Sequence, residues 1–128
     1  MQRAAAPLLR QRHSVQRQIR QRAEANYGVL RARFGAAGPG RVLLREGGWY
    51  AILQLPDELV DEEVAVALLE QEHVVAHPGY FYDFPPGGVF LVLSLLPVST
   101  EFREGVTGIQ RLLGGAAGGP VARDATSP

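Results

Sequence analysis

Apolar side chains recur every three or four residues over the start of the chain. Between Pro7 and Phe34, arginine and glutamine fill many of the intervening positions, and the apolar positions are Leu8, Val15, Ile19, Ala23, Leu30 and Phe34. This spacing predicts one long amphipathic helix over residues 8–35. Pro7 suits a first helical turn, and the glycine-rich GAAGPG that follows Phe34 ends the helix. A helix this long needs a partner for its whole apolar stripe, so we expect part of it to pack outside this domain.

After this helix the pattern changes to short β-rich runs that alternate with helical ones. RVLLRE and GGWYAILQLP, separated by Gly47 and Gly48, predict two neighbouring strands. PDELVDEEVAVALLEQEH predicts a second helix, with acidic residues in the first turn, where the helix dipole favours them. VVA, residues 74–76, predicts a short strand, and VFLVLSLL is apolar enough throughout to be a central strand. STEFREGVTGIQRLL predicts a third helix that ends at Gly114.

These elements together predict an α+β fold. A small mixed or antiparallel sheet should carry helices on one face, and the long amphipathic helix should precede it. Residues 8–35 would form the linking helix and residues 41–114 the α+β body of a single domain. We expect residues 1–7 and 115–128 to be disordered, since the tail has too little apolar surface to fold.

Charge divides the chain into two parts of opposite sign. Residues 1–45 hold ten arginines and one acid, a net +9, whereas residues 46–128 hold three arginines and twelve acids, a net −9. Such a division can attract nucleic acid or an acidic protein, but the two parts can also compensate one another within one molecule. The arginines surround the first helix instead of forming one stripe, which disfavours a nucleic-acid partner. The chain has neither lysine nor cysteine, which excludes a lysine Schiff base, a thiol nucleophile and disulfides.

The remaining chemical candidates have simpler structural explanations. His73 and His77 stand four residues apart, a spacing that can bind a metal on a helix, but Pro78 argues against a helix there. Ser94 lacks the glycines of a nucleophile elbow and is expected to be a buried strand serine. The longest apolar run, Val89 to Val98, is about half a membrane span. We therefore predict no metal site and no membrane segment, assign no catalytic residue, and expect a soluble cytoplasmic protein.

The stretch HPGYFYDFPPGG places four aromatic residues in a loop directly before the apolar VFLVLSLL. A loop that only connects two elements is usually small and polar. This loop can be a structural lid that plugs the end of the sheet, with Asp83 satisfying loop N–H groups. It can equally be a contact surface, in which Tyr80 and Tyr82 present hydroxyls and ring faces to a ligand and Gly79 lets the backbone approach closely. The residues alone favour neither of these two interpretations of the loop.

The order of GGWYAILQLP, DEEVAVALLEQEHVVAHPG, VFLVLSLL and STEFREGVTGIQRLL resembles the C-terminal small domain of class I/II aminotransferases, pyridoxal-phosphate enzymes of fold type I. The resemblance covers about residues 8–114. In that family the small domain closes over a cofactor that the large domain mainly holds. The resemblance therefore implies pyridoxal phosphate as cofactor, an amino-acid-like substrate and a large domain as partner. Self-association into a homo-oligomer would be a second way to cover the first helix.

The resemblance also implies which residues face the substrate. The family's GG-aromatic loop corresponds to the segment from Gly47 to Tyr50, and its PG loop to the segment that begins at Pro78. The implied substrate-binding residues are Gly48, Trp49, Tyr50, Gly79, Tyr80 and Tyr82.

Two departures from the family bear on function. The family commonly has an arginine in the strand pattern R-L-S, where it pairs with the substrate carboxylate, but this chain has Val92 in V-L-S. The Schiff-base lysine and the phosphate-binding residues of the family belong to its large domain. We therefore expect this chain alone to be inactive, as a split subunit, a truncation or a remnant of such an enzyme. The alternative is a non-catalytic binding module whose Arg-rich N-terminal helix binds an acidic partner or nucleic acid.

Overall fold

The computed structural model describes residues 2–35 and 38–116. The described helices are α1 (Gln2–Arg33), α2 (Asp61–Glu72) and α3 (Ser99–Ala116). The described strands are β1 (Arg41–Val42), β2 (Tyr50–Leu55), β3 (His77–Pro78) and β4 (Val89–Ser94), with a 3₁₀ turn over Gly79–Tyr82 between the last two. The predicted α+β class is confirmed.

One antiparallel sheet holds the four described strands in the order β1-β2-β4-β3. The long central pair runs from Tyr50 opposite Ser94 to Leu55 opposite Val89. The edge strands β1 and β3 contribute two residues each. Strand β4 lies between β2 and β3, in the central position that its continuous apolar sequence predicts.

The helices pack on one face of this sheet, as predicted. Side chains alternate between the two faces of a strand, and the buried residues that point to the helices are Ala51, Leu53, Leu55, Val89, Leu91 and Leu93. Helix α3 packs against both α1 and α2. Its buried residues are Phe102, Val106, Ile109, Leu112 and Leu113. The core is therefore a single layer of side chains between one sheet face and three helices.

Helix α1 extends beyond the body against which it packs. Its second half buries Ala23, Tyr27 and Leu30 in the core, whereas every residue from 5 to 22 is exposed. Because a helix turns about 100° per residue, the exposed apolar residues of the first half share a helical face with Leu30. The face that packs against the body thus continues outside it, uncovered by the part of the chain that the structure describes.

The ends of two helices differ from the sequence prediction. Residues 2–7, expected to be disordered, are helical, because the run of alanines favours helix and Pro7 removes only one hydrogen bond near the helix start. Helix α3 continues past Gly114 to Ala116, so Gly115 belongs to the helix and not to the tail. Residues 117–128, the rest of the predicted disordered tail, lie outside the described residues.

Two predicted strands are displaced or shortened. VVA is not a strand, because His73 ends α2 in a left-handed conformation and the N–H of Val74 donates to the carbonyl of Leu68 as part of that helix end. The strand forms instead at the next two residues, His77 and Pro78. The run RVLLRE is a strand only over Arg41–Val42. The N–H of Leu43 still donates to the Ile52 carbonyl of β2 at 2.9 Å, but the Leu43 carbonyl accepts from the Tyr27 hydroxyl at 3.0 Å, and the pairing ends there.

Candidate functional site

The face of the sheet opposite the helices carries an aromatic and apolar surface. Strand alternation places on it Tyr50, Ile52 and Gln54 of β2 and Phe90, Val92 and Ser94 of β4. The edge strands add Arg41, which pairs with Gln54, and His77, which pairs with Val92. We call these eight residues the open face.

Val92 lies at the centre of the open face. It is 5% exposed although the helices pack on the other side of the sheet, and Ile52 and His77 stand directly opposite it on the two neighbouring strands. Tyr50 is its diagonal neighbour, a spacing at which aromatic side chains remain within contact range. A buried apolar side chain therefore fills the position that the sequence resemblance assigns to a carboxylate-binding arginine.

The aromatic loop, residues 79–88, folds against one end of the open face. The ring of Phe84 stacks on that of Phe90, with the ring centroids 4.7 Å apart. A Cβ atom at Gly79 would lie 2.9 Å from the Cβ of Phe90, and one at Gly88 would lie 2.5 Å from the Phe90 ring. Glycine is needed at both positions because the backbone approaches Phe90 so closely.

Polar contacts hold the first part of this loop. The N–H of Tyr80 donates to Asp61 Oδ2 at 3.0 Å, so the loop is bound to the start of α2. Among the described residues the carboxylate bonded to a loop N–H is therefore Asp61 and not the predicted Asp83. His77 Nδ1 and the Tyr82 hydroxyl lie 2.9 Å apart, with their rings stacked. Tyr80 and Phe81 keep 69% and 65% of their surface exposed, so the loop combines a fixed backbone with rings that face solvent.

Arg45 fixes the loop that precedes β2. Its Nη1 donates to the Gly48 carbonyl at 2.7 Å, and its Nη2 pairs with Glu24 of α1 at 2.6 Å. The guanidinium also lies over the Tyr27 ring, 4.7 Å from the ring centroid. Gly48 has a φ of 80°, which favours glycine. The position of this loop is therefore set by α1 and not by the sheet alone.

The same loop is bound to the end of β4. The N–H of Leu95 donates to the Trp49 carbonyl at 2.7 Å. Trp49 and Tyr50 are 49% and 45% exposed, with ring centroids 6.4 Å apart. Tyr50 belongs to the open face, and the Trp49 ring beside it borders that face at the Ser94 end of β4.

The structure brings together only part of the predicted substrate-binding set. Tyr50 lies beside Val92, and Tyr82 reaches the open face through its contact with His77. Gly48 and Trp49 are in the loop directly before Tyr50. Gly79 packs against Phe90 at the opposite end of β4, and Tyr80 is bound through its backbone to α2. The second loop therefore contributes Tyr82 to the open face, whereas Gly79 and Tyr80 lie away from Tyr50.

Six residues of the open face were not among the predicted site residues: Arg41, Ile52, Gln54, His77, Phe90 and Ser94. Ser94, expected to be a buried strand serine, is exposed. Alternation from Tyr50 along β2 would have identified Ile52, and the antiparallel pairing of β3 places His77 beside Val92. Arg41 has no local signal, since its place depends on the register of a two-residue edge strand. Its Nη2 donates to Gln54 Oε1 at 2.8 Å. Among the strand residues of this face, Arg41 is the only arginine.

Two further properties concern the described residues as a whole. In residues 2–35 and 38–116, no three His, Asp or Glu side chains come together as metal ligands could. Within the same residues, no helix has the length and apolar character needed to cross a bilayer. A cytoplasmic location stays a prediction.

The fold is similar to that of three solved aminotransferases. The aromatic aminotransferase from Pyrococcus horikoshii OT3 superposes with a TM-score of 0.69 and 16% identity, over 79% of this chain and 27% of that one. YbdL from Escherichia coli, described with a methionine aminotransferase function, superposes with a TM-score of 0.58 and 15% identity, over 70% of this chain and 24% of that one. The aspartate aminotransferase from Rhizobium meliloti superposes with a TM-score of 0.60 and 19% identity, over 77% of this chain and 26% of that one.

These similarities confirm the sequence resemblance at the level of fold. The chain spans about a quarter of the length of each aminotransferase that it matches, as a small domain would. No protein-family model and no curated protein sequence matches the chain.

Proposed function

We propose that this chain acts as the small domain of a pyridoxal-phosphate-dependent aminotransferase-like enzyme and closes over a pocket whose other walls belong to a large domain. The observation that carries the proposal is the fold similarity, which includes most of this chain and about a quarter of each aminotransferase. The substrate class that follows is an amino acid or a related amine.

The residues of this chain alone do not fit the cofactor. Enzymes of this type hold pyridoxal phosphate through a lysine amine, and this chain contains no lysine. A large domain must therefore bind the cofactor, which supplies an electron sink for carbanion chemistry when bound. The part left to this chain is to bind and orient the substrate and to exclude water from the pocket.

The open face and its two flanking loops are the surfaces that we assign to the pocket. Ile52 and Val92 would form an apolar floor, with Tyr50 on one side and the pair of His77 and Tyr82 on the other. Trp49 would border the floor beside Tyr50, and Gly48 lets the preceding loop turn tightly. Gly79 and Tyr80 take a supporting role in this proposal, since their contacts are with Phe90 and Asp61.

The substrate carboxylate needs a cation that Val92 does not provide. Arg41 is the candidate within this chain, because it lies on the open face and its side chain reaches Gln54. Arginine can bind a carboxylate through two parallel hydrogen bonds. If Arg41 does not bind the substrate carboxylate, the large domain must supply the cation that does.

The test begins with the coding sequence upstream of Met1 and its neighbouring reading frames, which should contain a large domain with a lysine. Co-expression of that polypeptide with this chain should give a complex that co-purifies, has the visible absorbance of bound pyridoxal phosphate, and shows an absorbance change when an amino acid is added. Tyr50→Ala in this chain should lower the rate of that change. Arg17→Gln, on the exposed half of α1, is the matched surface control and should leave the rate unchanged.

Two outcomes would contradict the proposal. One is a complex that binds pyridoxal phosphate yet reacts with no amino acid, amine or thioether substrate. The other is a large domain that reacts equally fast with and without this chain.

A binding module remains the second candidate, because residues 5–22 of α1 are all exposed and carry five arginines without an acid. A nucleic-acid ligand would require affinity that falls steeply with added salt. Fluorescence anisotropy with a labelled duplex at two salt concentrations tests this directly. The exposed apolar residues between the arginines favour a protein partner over nucleic acid.

A further inference from the structure

Helix α1 presents an apolar stripe that its own domain leaves uncovered. Leu8, Val15 and Ile19 are 67%, 49% and 39% exposed, and Arg12 lies among them on the same helical face. We call Leu8, Arg12, Val15 and Ile19 the α1 stripe. Apolar side chains that recur along one exposed helical face are typical of a surface that binds another protein.

Helix α2 presents a second stripe of the same spacing. Val66 and Leu69 are 54% and 53% exposed, and Glu62 lies one turn before Val66 on the same face. We call Glu62, Val66 and Leu69 the α2 stripe. The opposite side of α2 is the one that packs in the core, through Val64, Ala67 and Leu68.

The two stripes carry opposite charges. Residues 5–22 contain five arginines and no acid, whereas α2 contains five acids and no basic residue. Two α1 stripes facing each other would bring the two Arg12 side chains together in a segment that has five arginines and no acid in each copy, which like-charge repulsion opposes. The α1 stripe against the α2 stripe joins apolar side chains and opposite charges at once.

We propose that a second copy of this chain covers the α1 stripe with its α2 stripe. Each copy offers both surfaces, so two copies can make the contact twice in a two-fold dimer, or the contact can continue from copy to copy as a ring or an open chain. The contact goes beyond the proposed enzymatic function, since neither stripe contains a residue assigned to the pocket.

Sedimentation velocity of the full chain over a range of concentrations is the first test. The proposal requires species larger than a monomer at or below about 1 mM, a weak affinity by protein standards. Arg12→Glu should weaken the association about tenfold, because it places an acid opposite the acidic stripe. Arg17→Glu makes the same charge change on the opposite side of the helix and should have little effect.

A charge exchange between copies gives the sharper test. Glu62→Arg should weaken self-association as Arg12→Glu does, while Glu104→Arg, on α3, is the control for adding positive charge elsewhere. The Arg12→Glu and Glu62→Arg variants, each impaired alone, should associate when mixed. The unchanged α1 stripe of the Glu62→Arg variant can then bind the unchanged α2 stripe of the Arg12→Glu variant, and the two reversed positions also face each other with opposite charge. Circular dichroism and urea unfolding should show that each variant remains folded.

The other results overturn the proposal. If the chain stays monomeric at about 1 mM, a second copy does not cover the α1 stripe. If the α1 stripe becomes covered only when a large-domain polypeptide is added, that polypeptide is its partner. If Arg12→Glu and Arg17→Glu weaken association equally, the association depends on the charge of α1 in general and not on a contact at the α1 stripe. Failure of the mixed variants to associate shows that the two stripes are not partners. None of these results affects the co-expression test of enzymatic function.

Discussion

The side-chain amide of Asn26 donates a hydrogen bond of 2.9 Å to the backbone carbonyl of Leu95. The same nitrogen donates to the carbonyl of Pro97, also at 2.9 Å, and Asn26 is completely buried. One side chain thus satisfies two carbonyls of the segment that leaves β4 for α3. It also fixes α1 to the sheet near the point where the helix leaves the body.

We expect Asn26→Ala to lower the free energy of unfolding by about 2–3 kcal/mol, because the buried Leu95 carbonyl and the partly buried Pro97 carbonyl both lose their donor. Asn26→Asp should be at least as destabilising, since it places a carboxylate against two carbonyl oxygens. Urea unfolding measures both changes, and Gln18→Ala on the exposed half of α1 is the control, with an expected change of under about 0.5 kcal/mol. An Asn26→Asp variant as stable as the original chain would contradict this role.

The two glycines inside α3 should respond differently to substitution by alanine. Alanine is favoured over glycine in a helix by about 1 kcal/mol. A Cβ atom at Gly105 would meet Val74 at 3.9 Å, an ordinary contact, whereas one at Gly108 would lie 3.1 Å from the Cβ of Glu72. We therefore expect Gly105→Ala to stabilise the protein by about 1 kcal/mol and Gly108→Ala to gain less or to destabilise it. Thermal unfolding of the two variants side by side checks the order, and the reverse order would disprove this account.

Arg45 should be important because its guanidinium group makes several contacts at once. Arg45→Ala removes its bonds to Gly48 and Glu24 and its contact with the Tyr27 ring, and we expect a loss of about 2–3 kcal/mol. Arg45→Lys keeps the charge without the fork of donors and should recover only part of that loss. The measurements are urea unfolding and the fluorescence of Trp49, which lies directly after Gly48.

Glu24→Gln is the control for the ion pair alone. The Glu24 side chain is 65% exposed, so removal of its charge should cost under about 1 kcal/mol. If Glu24→Gln destabilised the protein as much as Arg45→Ala, the stabilisation would come from the ion pair and not from the several contacts of the guanidinium.

The elements that the sequence predicted correctly are those with strong local patterns. VFLVLSLL is central in the sheet because a strand buried by neighbours on both edges and by helices needs continuous apolar residues. At the start of α2, Val60 provides no side-chain cap, and the acidic residues of the first turn stabilise this helix end through their favourable interaction with the helix dipole. The order of elements also sufficed to predict the similarity to aminotransferases in fold.

The elements that the sequence missed depend on contacts between distant residues. RVLLRE has the composition of a strand, yet the Leu43 carbonyl accepts from Tyr27, sixteen residues earlier in the chain, and the pairing with β2 ends after the Leu43 N–H. VVA has high β propensity, but the end of α2 uses the N–H of Val74. The open face is a third case, since Arg41 joins it only through the register of β1 on Gln54. Local composition contains no information on such partners.

The aromatic loop offers a last prediction, which separates its two interpretations. Gly88→Ala should force the Phe90 ring away and disturb its stacking with Phe84, at a cost of about 1–3 kcal/mol. Gly47→Ala is the matched control, because a Cβ there meets nothing within 4 Å and its φ is not positive, so it should be neutral or slightly stabilising.

Both variants are then compared in amide hydrogen exchange over residues 77–88. If the loop is a lid fixed by Phe90, Gly88→Ala should speed exchange from the N–H of Tyr80, whose bond to Asp61 depends on the position of the loop. If exchange at Tyr80 is unchanged while Phe90 moves, the bond to Asp61 alone sets the loop backbone. The exposed rings of Tyr80 and Phe81 would then keep their places independently of the sheet, as a preformed contact surface requires.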